Sequence, residues 1–448
     1  MNKTDVSRRD FLRRTSLASA ATIAFPSILR SQSAGAGGSP NNRLNVACIG
    51  VGGQGQSAVN AMQNENLVAL CDVDDARAAD TYAKHPNVPR YRDYRELLDK
   101  LGNQIDAVTI STPDHMHYPI AVAALQLGKH VFVEKPMTHT IWEARQLAKL
   151  AREKKVATQM GNQGHALEGT RLLKEWFDAG VLGEVREVHS WTDRPIWPQG
   201  IDAPDHSKMI PVAPSTLDWN LWLGVAPERP YDPSYVPFNW RGYWDFGTGA
   251  LGDMGCHIMD GAFYALQLDA PEWVEAVSAR ATTVSGPKAS VVTYHFPARG
   301  QLPPVRYTWY DGGLKPLPPA GFELERAIPD NGSFIIGSKA TVLADTYYRS
   351  VRIIPEAKRI EMAPSLPKPT LPRVQGNHFD EWLRACKGGP AAGANFDYAS
   401  RLTEMVLLSN LAVRAGRRIE WDGKNQKVTN LPMANQWVTK EYRKGFGV

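Results

Sequence analysis

Between the apolar run Leu44–Ile49 and a helix-compatible stretch stands Gly50-Val51-Gly52-Gly53-Gln54-Gly55. Glycines at this spacing, after a strand and before a helix, commit the chain to a tight strand–turn–helix unit. Gly50 permits the turn, Gly52 lets the backbone approach a pyrophosphate, and Gly55 lets the helix pack close. The N–H groups at the helix start favour phosphate charge. Asp72 follows about 20 residues on, at the end of the next apolar run, where a carboxylate accepts hydrogen bonds from an adenosine ribose and repels a 2′-phosphate. The pattern predicts NAD as the cofactor, with Gly53 and Gln54 in the same turn; Arg77 lies close enough to keep NADP open.

From 44 to 161 short apolar runs alternate with amphipathic stretches. The runs Leu67–Cys71, Ala107–Ser111, His130–Glu134 and Val156–Met160 read as strands buried on both faces of a parallel sheet. Helical patterns fall at Tyr94–Leu101, Tyr118–Leu127 and Ile141–Lys154, giving the βαβ order of a doubly wound Rossmann sheet. After Gly161 a helix is predicted over Leu167–Ala179, and then strands follow one another: 186–192, 274–283, 291–296, 305–310, 333–336, 340–344 and 351–354. Such a series predicts a second α/β domain built on one large, mostly antiparallel sheet. Long loops at 194–244 and 302–329 interrupt it. The expected division is an export segment at 1–36, a nucleotide-binding domain at 43–161 and a second domain at 162–448. Helices near 377–416 are expected to pack back on the nucleotide-binding domain.

Ser7-Arg8-Arg9-Asp10-Phe11-Leu12, followed by the weakly apolar Thr15–Leu29, reads as a twin-arginine signal, an address for export of an already folded protein. The expected partner is the twin-arginine export machinery and the expected location periplasmic or extracytoplasmic. The stretch is too short and too polar for stable membrane insertion. Residues 1–33 hold six basic and two acidic side chains, so most of the net charge of +5 belongs to this segment. The remainder is near neutral, which argues against nucleic acid. Soluble nicotinamide is not expected outside the inner membrane, so a cofactor held between turnovers is expected. Four cysteines are few for an exported chain, and Cys48 and Cys71 fall inside buried strands, where they read as small packing residues.

Three blocks resemble the Gfo/Idh/MocA oxidoreductases, the glucose–fructose oxidoreductase and inositol dehydrogenase superfamily. They are the glycine turn, the run Gly128-Lys129-His130-Val131-Phe132-Val133-Glu134-Lys135-Pro136, and Gly249-Ala250-Leu251-Gly252-Asp253-Met254-Gly255-Cys256-His257. The resemblance covers nearly all of the chain after the export segment. It implies a nicotinamide in a cleft between two domains, homodimer or homotetramer assembly, and chemistry by Lys135, Asp253 and His257. The residue types agree: an alcohol-to-ketone oxidation needs a hydride acceptor, a base and a donor to the developing oxyanion. Lys135 ends a parallel strand, and its ammonium suits the reacting oxygen. His257 suits the base. Asp253, four residues before it, would share a helix face, binding a neighbouring hydroxyl or orienting the imidazole. Ser111, Thr112, Pro113, His117, Glu134 and Gln163 are further cofactor candidates.

On the substrate side, Gln163, Arg194, Trp197, Arg241, Tyr243 and Trp244 are the cleft candidates, with Asp253 and His257. Trp219 and Trp222 read as packing residues. Aromatic faces suit the C–H faces of sugar rings, so the expected reaction interconverts a secondary alcohol and a ketone on a sugar, glycoside or cyclitol. Two other readings stay open. Some superfamily members cleave glycosides through transient oxidation by bound NAD, usually with a Thr-His-type site that this chain lacks. A non-catalytic sugar-binding protein on the same fold is the other. His115 and His117 are two apart and no zinc-type spacing occurs, so no metal is expected.

Overall fold

The computed structural model describes residues 42–447; the twin-arginine reading falls on residues that, like Val448, lie outside the described ones. Six strands build a parallel sheet: β1 Asn45–Ile49, β2 Asn66–Cys71, β3 Arg90–Tyr91, β4 Ala107–Ile110, β5 His130–Val133 and β6 Thr158–Met160. Their order is β3-β2-β1-β4-β5-β6, and every neighbouring pair is parallel. The central strands are apolar along their length because helices cover both faces. The order reverses between β1 and β4. The loops after those two strands, at Gly50 and Ser111, therefore diverge and open a crevice.

Helix ends follow from capping. Ile141–Lys154 starts with a capping box in which Thr140 Oγ1 accepts from the Glu143 N–H and Glu143 Oε2 accepts from the Thr140 N–H. Tyr94–Leu101 starts at Asp93, whose side chain accepts from the Arg95 N–H. Both helices occupy the predicted residues.

The second sheet has nine strands: β7 Val185–Trp191, β8 Trp273–Ala279, β9 Ala289–Phe296, β10 Val305–Tyr310, β11 Gly332–Gly337, β12 Thr341–Ala344, β13 Val351–Ile354, β14 Ile419–Asp422 and β15 Lys427–Val428. Their order is β13-β12-β11-β7-β10-β9-β8-β14-β15. Only the pair β7 and β10 is parallel; the rest is antiparallel, as expected for this half. The predicted loop 194–244 is an ordered segment with a short helix, Trp219–Leu223. It packs around Trp222, Tyr235, Tyr243 and Phe246.

Among the described residues, those from Arg43 onward form one compact unit. One core runs through both sheets, joining Val108 and Val131 to Val274, Tyr294 and Trp309. The 20-residue helix Phe396–Ala415 sits in the middle of it. The preceding helix, His378–Cys386, covers a face of the parallel sheet. There Phe379 stacks on Phe132 at 4.5 Å and Trp382 meets the same ring edge-on at 5.7 Å. Cys48 and Cys71 are buried free thiols. Trp382 is fully buried between the two layers. Trp382→Ala is therefore expected to lower stability to urea by about 3–5 kcal/mol; a loss below about 1 kcal/mol would show that this layer is not part of the core.

Candidate active site

One cavity collects the ends of the parallel strands and the loops of the second half. Its wall includes Gly50, Gly52, Gln54, Asp72, Ser111, Thr112, Pro113, Glu134, Lys135, Gln163, Arg194, Trp197, Arg241, Asp253 and His257. These are most of the candidates picked from the sequence, brought together from widely separated positions.

The glycine turn is as tight as the motif demands. Gly50 has φ +77°, and a Cβ there would lie 2.7 Å from the Ser111 carbonyl. A Cβ on Gly55 would lie 1.8 Å from the Gly50 oxygen, so the helix start can pack here only without a side chain. Asp72 holds the turn from the next strand. Its Oδ2 accepts from the Val51 and Gly52 N–H groups at 2.9 and 3.0 Å, and its Oδ1 from Asp74 N–H at 3.0 Å. Burial pushes this carboxyl up, and those amides pull it back. Asp72 thus braces the loop as well as lining the cavity. The Arg77 guanidinium lies against Gly53.

The residues fit a dinucleotide. Ser111 Oγ and Thr112 Oγ1 are buried with no hydrogen-bond partner in the protein, both in the crevice where the strand order reverses. Gly161 leaves room beside Glu134, since a Cβ there would lie 2.6 Å from Oε2. Burial raises the Glu134 carboxyl.

At Lys135 an ion pair joins the two halves. Lys135 Nζ donates to Asp253 Oδ1 at 2.8 Å and to the Asp253 carbonyl at 2.9 Å. An ammonium has three donors, so one N–H remains for the cavity. Arg241 Nε reaches the same carboxylate oxygen at 3.4 Å. Burial opposes ionisation of Asp253, but Lys135 and Arg241 outweigh it and bring the carboxyl down to about 2. Burial likewise opposes the charge on Lys135, and Asp253 overcomes it, raising the ammonium above its ordinary value. Both groups are charged at neutral pH.

His257, one turn after Asp253 on the helix Gly249–Ile258, is 3% exposed. Its Nδ1 has no partner, and its ring meets Tyr347 edge-on at 5.0 Å. Burial, reinforced by the Lys135 charge, lowers the imidazole to about 3. Of the two roles expected for Asp253, orienting this ring is corrected here: Asp253 Oδ1 takes Lys135 and Arg241, and His257 Nδ1 has no hydrogen-bond partner. His257 is instead a neutral imidazole with an uncommitted nitrogen.

Three other candidates stand elsewhere. His117 was expected at the nicotinamide end, but it is buried, and its nitrogens face the Pro136 and Thr112 carbonyls at 2.8 Å each. It braces the turn that carries Lys135 and contains the cis Lys135–Pro136 bond. Tyr243 was expected in the cleft and is packed against Tyr235 and Phe246. Trp244 was expected there too; its indole N–H donates to the Thr282 carbonyl at 3.1 Å. Neither lines the cavity, because the chain turns inward between Trp240 and Phe246.

Several wall residues were not among the site candidates picked from the sequence. Asp114 is buried, accepts from Thr248 Oγ1 at 2.6 Å, and is pushed up to about 6 by burial. The ring centres of Trp240 and Phe238 each lie 4.4 Å from the Arg241 guanidinium. Trp222, read as packing, also reaches the wall, backed by Trp219 at 4.9 Å. Tyr347 arrives from the turn between β12 and β13.

Comparison with known proteins agrees with this geometry. Residues 44–162 match the Gfo/Idh/MocA oxidoreductase family's NAD-binding Rossmann fold, and residues 197–448 match the C-terminal α/β domain of the same family. The chain belongs to this family. A D-xylose 1-dehydrogenase [NADP(+)] of Haloarcula marismortui is 31% identical over 161 residues, covering 35% of this chain and 45% of that protein. A glycosyl hydrolase family 109 protein of Shewanella baltica is 36% identical over 155 residues, covering 32% of this chain and 33% of that protein. The chain spans half or less of the length of the curated relatives it matches. Among solved structures, the WlbA dehydrogenase of Bordetella pertussis, in complex with NADH and UDP-GlcNAcA, has the same fold. Its TM-score is 0.59 at 15% identity, over 85% of this chain and 99% of that one. The cofactor class is thus NAD, bound by the Rossmann half.

The His257 environment gives a direct test. A folded-state value near 3 means that the ring stays uncharged well below the ordinary histidine range. In 15N-labelled protein, the His257 signals, assigned by their loss in His257→Gln, should stay neutral from pH 8 to about 5; protonation at about pH 6.5 would contradict this placement.

Proposed function

We propose that this protein is an exported oxidoreductase that interconverts a secondary alcohol and a ketone on a sugar, glycoside or cyclitol. The observation that carries the reading is the convergence of the charged Lys135–Asp253 pair and neutral His257 at one end of an NAD-type crevice. A nicotinamide nucleotide in the crevice would accept or return the hydride. The spare N–H of Lys135 would donate to the reacting oxygen and stabilise its developing negative charge. His257 would take the hydroxyl proton in oxidation and return it in reduction. Asp253, ionised throughout, keeps Lys135 charged and aimed. Neither Lys135 nor Asp253 is placed to change its own protonation at neutral pH.

The sugar assignment rests on the wall. Trp197, Phe238, Trp240 and Tyr347 offer apolar faces beside Arg194, Arg241 and Gln163, which offer hydrogen bonds. The named relatives, a xylose dehydrogenase and a structure with a nucleotide sugar, act in the same chemical territory. The family 109 relative favours a second reading, hydrolysis through transient oxidation. Export rests on the twin-arginine pattern, and assembly as a homodimer or homotetramer on the family resemblance.

Sugars, cyclitols and glycosides screened against the purified protein should include one that produces reduced-nicotinamide fluorescence and a ketone product. Lys135→Ala should lower that rate by at least about 10²-fold; normal turnover of the variant would remove Lys135 from the chemistry. Release of the aglycone from a chromogenic glycoside, with no ketone accumulating, would replace oxidation by hydrolysis. Arg8→Lys together with Arg9→Lys should leave the protein in the cytoplasm; continued export would refute the signal.

A further inference from the structure

The crevice is roofed at its adenosine end by two segments from the second half of the chain. The first runs through Leu217. Asp75 N–H donates to the Thr216 carbonyl at 3.0 Å and Asp218 N–H to the Val73 carbonyl at 2.9 Å. Arg92, just after β3, donates to the same Thr216 carbonyl at 3.1 Å and pairs with Asp75. These bonds lay Leu217, Leu221 and Trp222 into the cavity wall that also holds Asp72 and Arg77.

The second segment lies near the end of the described chain. Lys440 and Tyr442 are anchored on the buried Glu143, at 3.2 and 2.6 Å. Phe446 then reaches the cavity wall, as does Tyr94. The Arg95 and Arg443 guanidiniums lie 4.5 and 4.3 Å from the Phe446 ring centre, and Arg95 donates to the Gly445 carbonyl at 2.9 Å.

Arg443 fastens the two segments to each other. Its main-chain N–H donates to the Val225 carbonyl at 3.1 Å. Its side chain donates to the Gly224 carbonyl at 2.9 Å and the Asn220 carbonyl at 2.7 Å. All three acceptors lie at or just beyond the short helix that carries Leu221 and Trp222.

We propose that residues 216–225 and 440–446, bolted together by Arg443, are a nucleotide-retaining roof, with Phe446 and Trp222 closing over the adenosine. The proposal rests on NAD filling this crevice. The exposed rim lies elsewhere on the same cavity, at Ile196 and Phe238, which are 64% and 38% exposed. A sugar can enter and leave by that rim while the nucleotide stays. Release of the nucleotide requires the Arg443 bonds to break and Phe446 to swing out, which slows dissociation without adding any contact at the reacting end.

The test follows nucleotide content rather than turnover. Purified protein is dialysed for increasing times, then denatured, and the released NAD is quantified. Wild-type protein should keep its nucleotide. Arg443→Ala and Phe446→Ala should each lose it at least about tenfold faster. Arg418→Ala, whose guanidinium sits over Trp273 at 3.9 Å, serves as the surface control and should match wild type. Phe446→Ala removes one ring at the wall and leaves the Lys440 and Tyr442 anchors in place, so it reads the roof even if Arg443→Ala fails to fold. Retention by both variants equal to wild type would overturn the roof alone. A wild type that binds added NADH but loses it on dialysis would overturn residency. A wild type that binds no NADH would overturn the nucleotide reading and the roof with it.

Discussion

The contact between Lys135 and Asp253 ties the chemistry to the architecture. Lys135 stands on the turn after β5, and Asp253 on a helix of the second half, so their bond exists only when both halves are docked. Each charge would be costly in this partly enclosed place without the other. Together they keep an ammonium and a carboxylate ionised, and Arg241 biases the carboxylate further. The pair also fixes what its neighbours can do. Burial and the Lys135 charge leave His257 neutral, its Nδ1 unpartnered, beside an ammonium that stays charged at neutral pH. In the mechanism we propose, acid and base roles are thereby separated between two side chains.

The same logic extends along the crevice. Asp72 accepts from two amides of the glycine turn and from Asp74 N–H, so a carboxylate in the cavity wall also fixes the loop beside it. His117 spans the Thr112 and Pro136 carbonyls and so couples the loop after β4 to the turn that presents Lys135. Glu143 is at once a helix cap and the anchor of Lys440 and Tyr442, and through them of the segment that ends at Phe446. Nucleotide site, reacting end and covering segments share these buried polar ties.

Features governed by short-range rules were legible in the sequence. The glycine turn, the apolar runs of the parallel sheet and the capped helices at 94–101 and 141–154 are local patterns, and local geometry decides them. Lys135, Asp253 and His257 were legible as residue types in motifs, but their pairing was not: the choice of Lys135 over His257 as the partner of Asp253 depends on how two distant segments dock. Tyr243 and Trp244 were misplaced for a related reason, since an aromatic run does not reveal which rings turn inward. Asp114, Trp240 and Tyr347 carry no motif at all. The strand β3 escaped because Arg90 and Tyr91 offer no apolar run, whereas β14 was missed although Ile419 and Trp421 alternate with Glu420 and Asp422.

The most direct test of the central claim is a crystal structure of the protein with NAD and a sugar ligand. The account predicts the nicotinamide ring in the crevice with the sugar's reacting carbon about 3–3.5 Å from the ring's hydride-accepting carbon. The spare N–H of Lys135 should meet that carbon's oxygen, with the His257 imidazole within hydrogen-bond reach of it. A nicotinamide bound away from Lys135, or a sugar oxygen held by neither side chain, would contradict it.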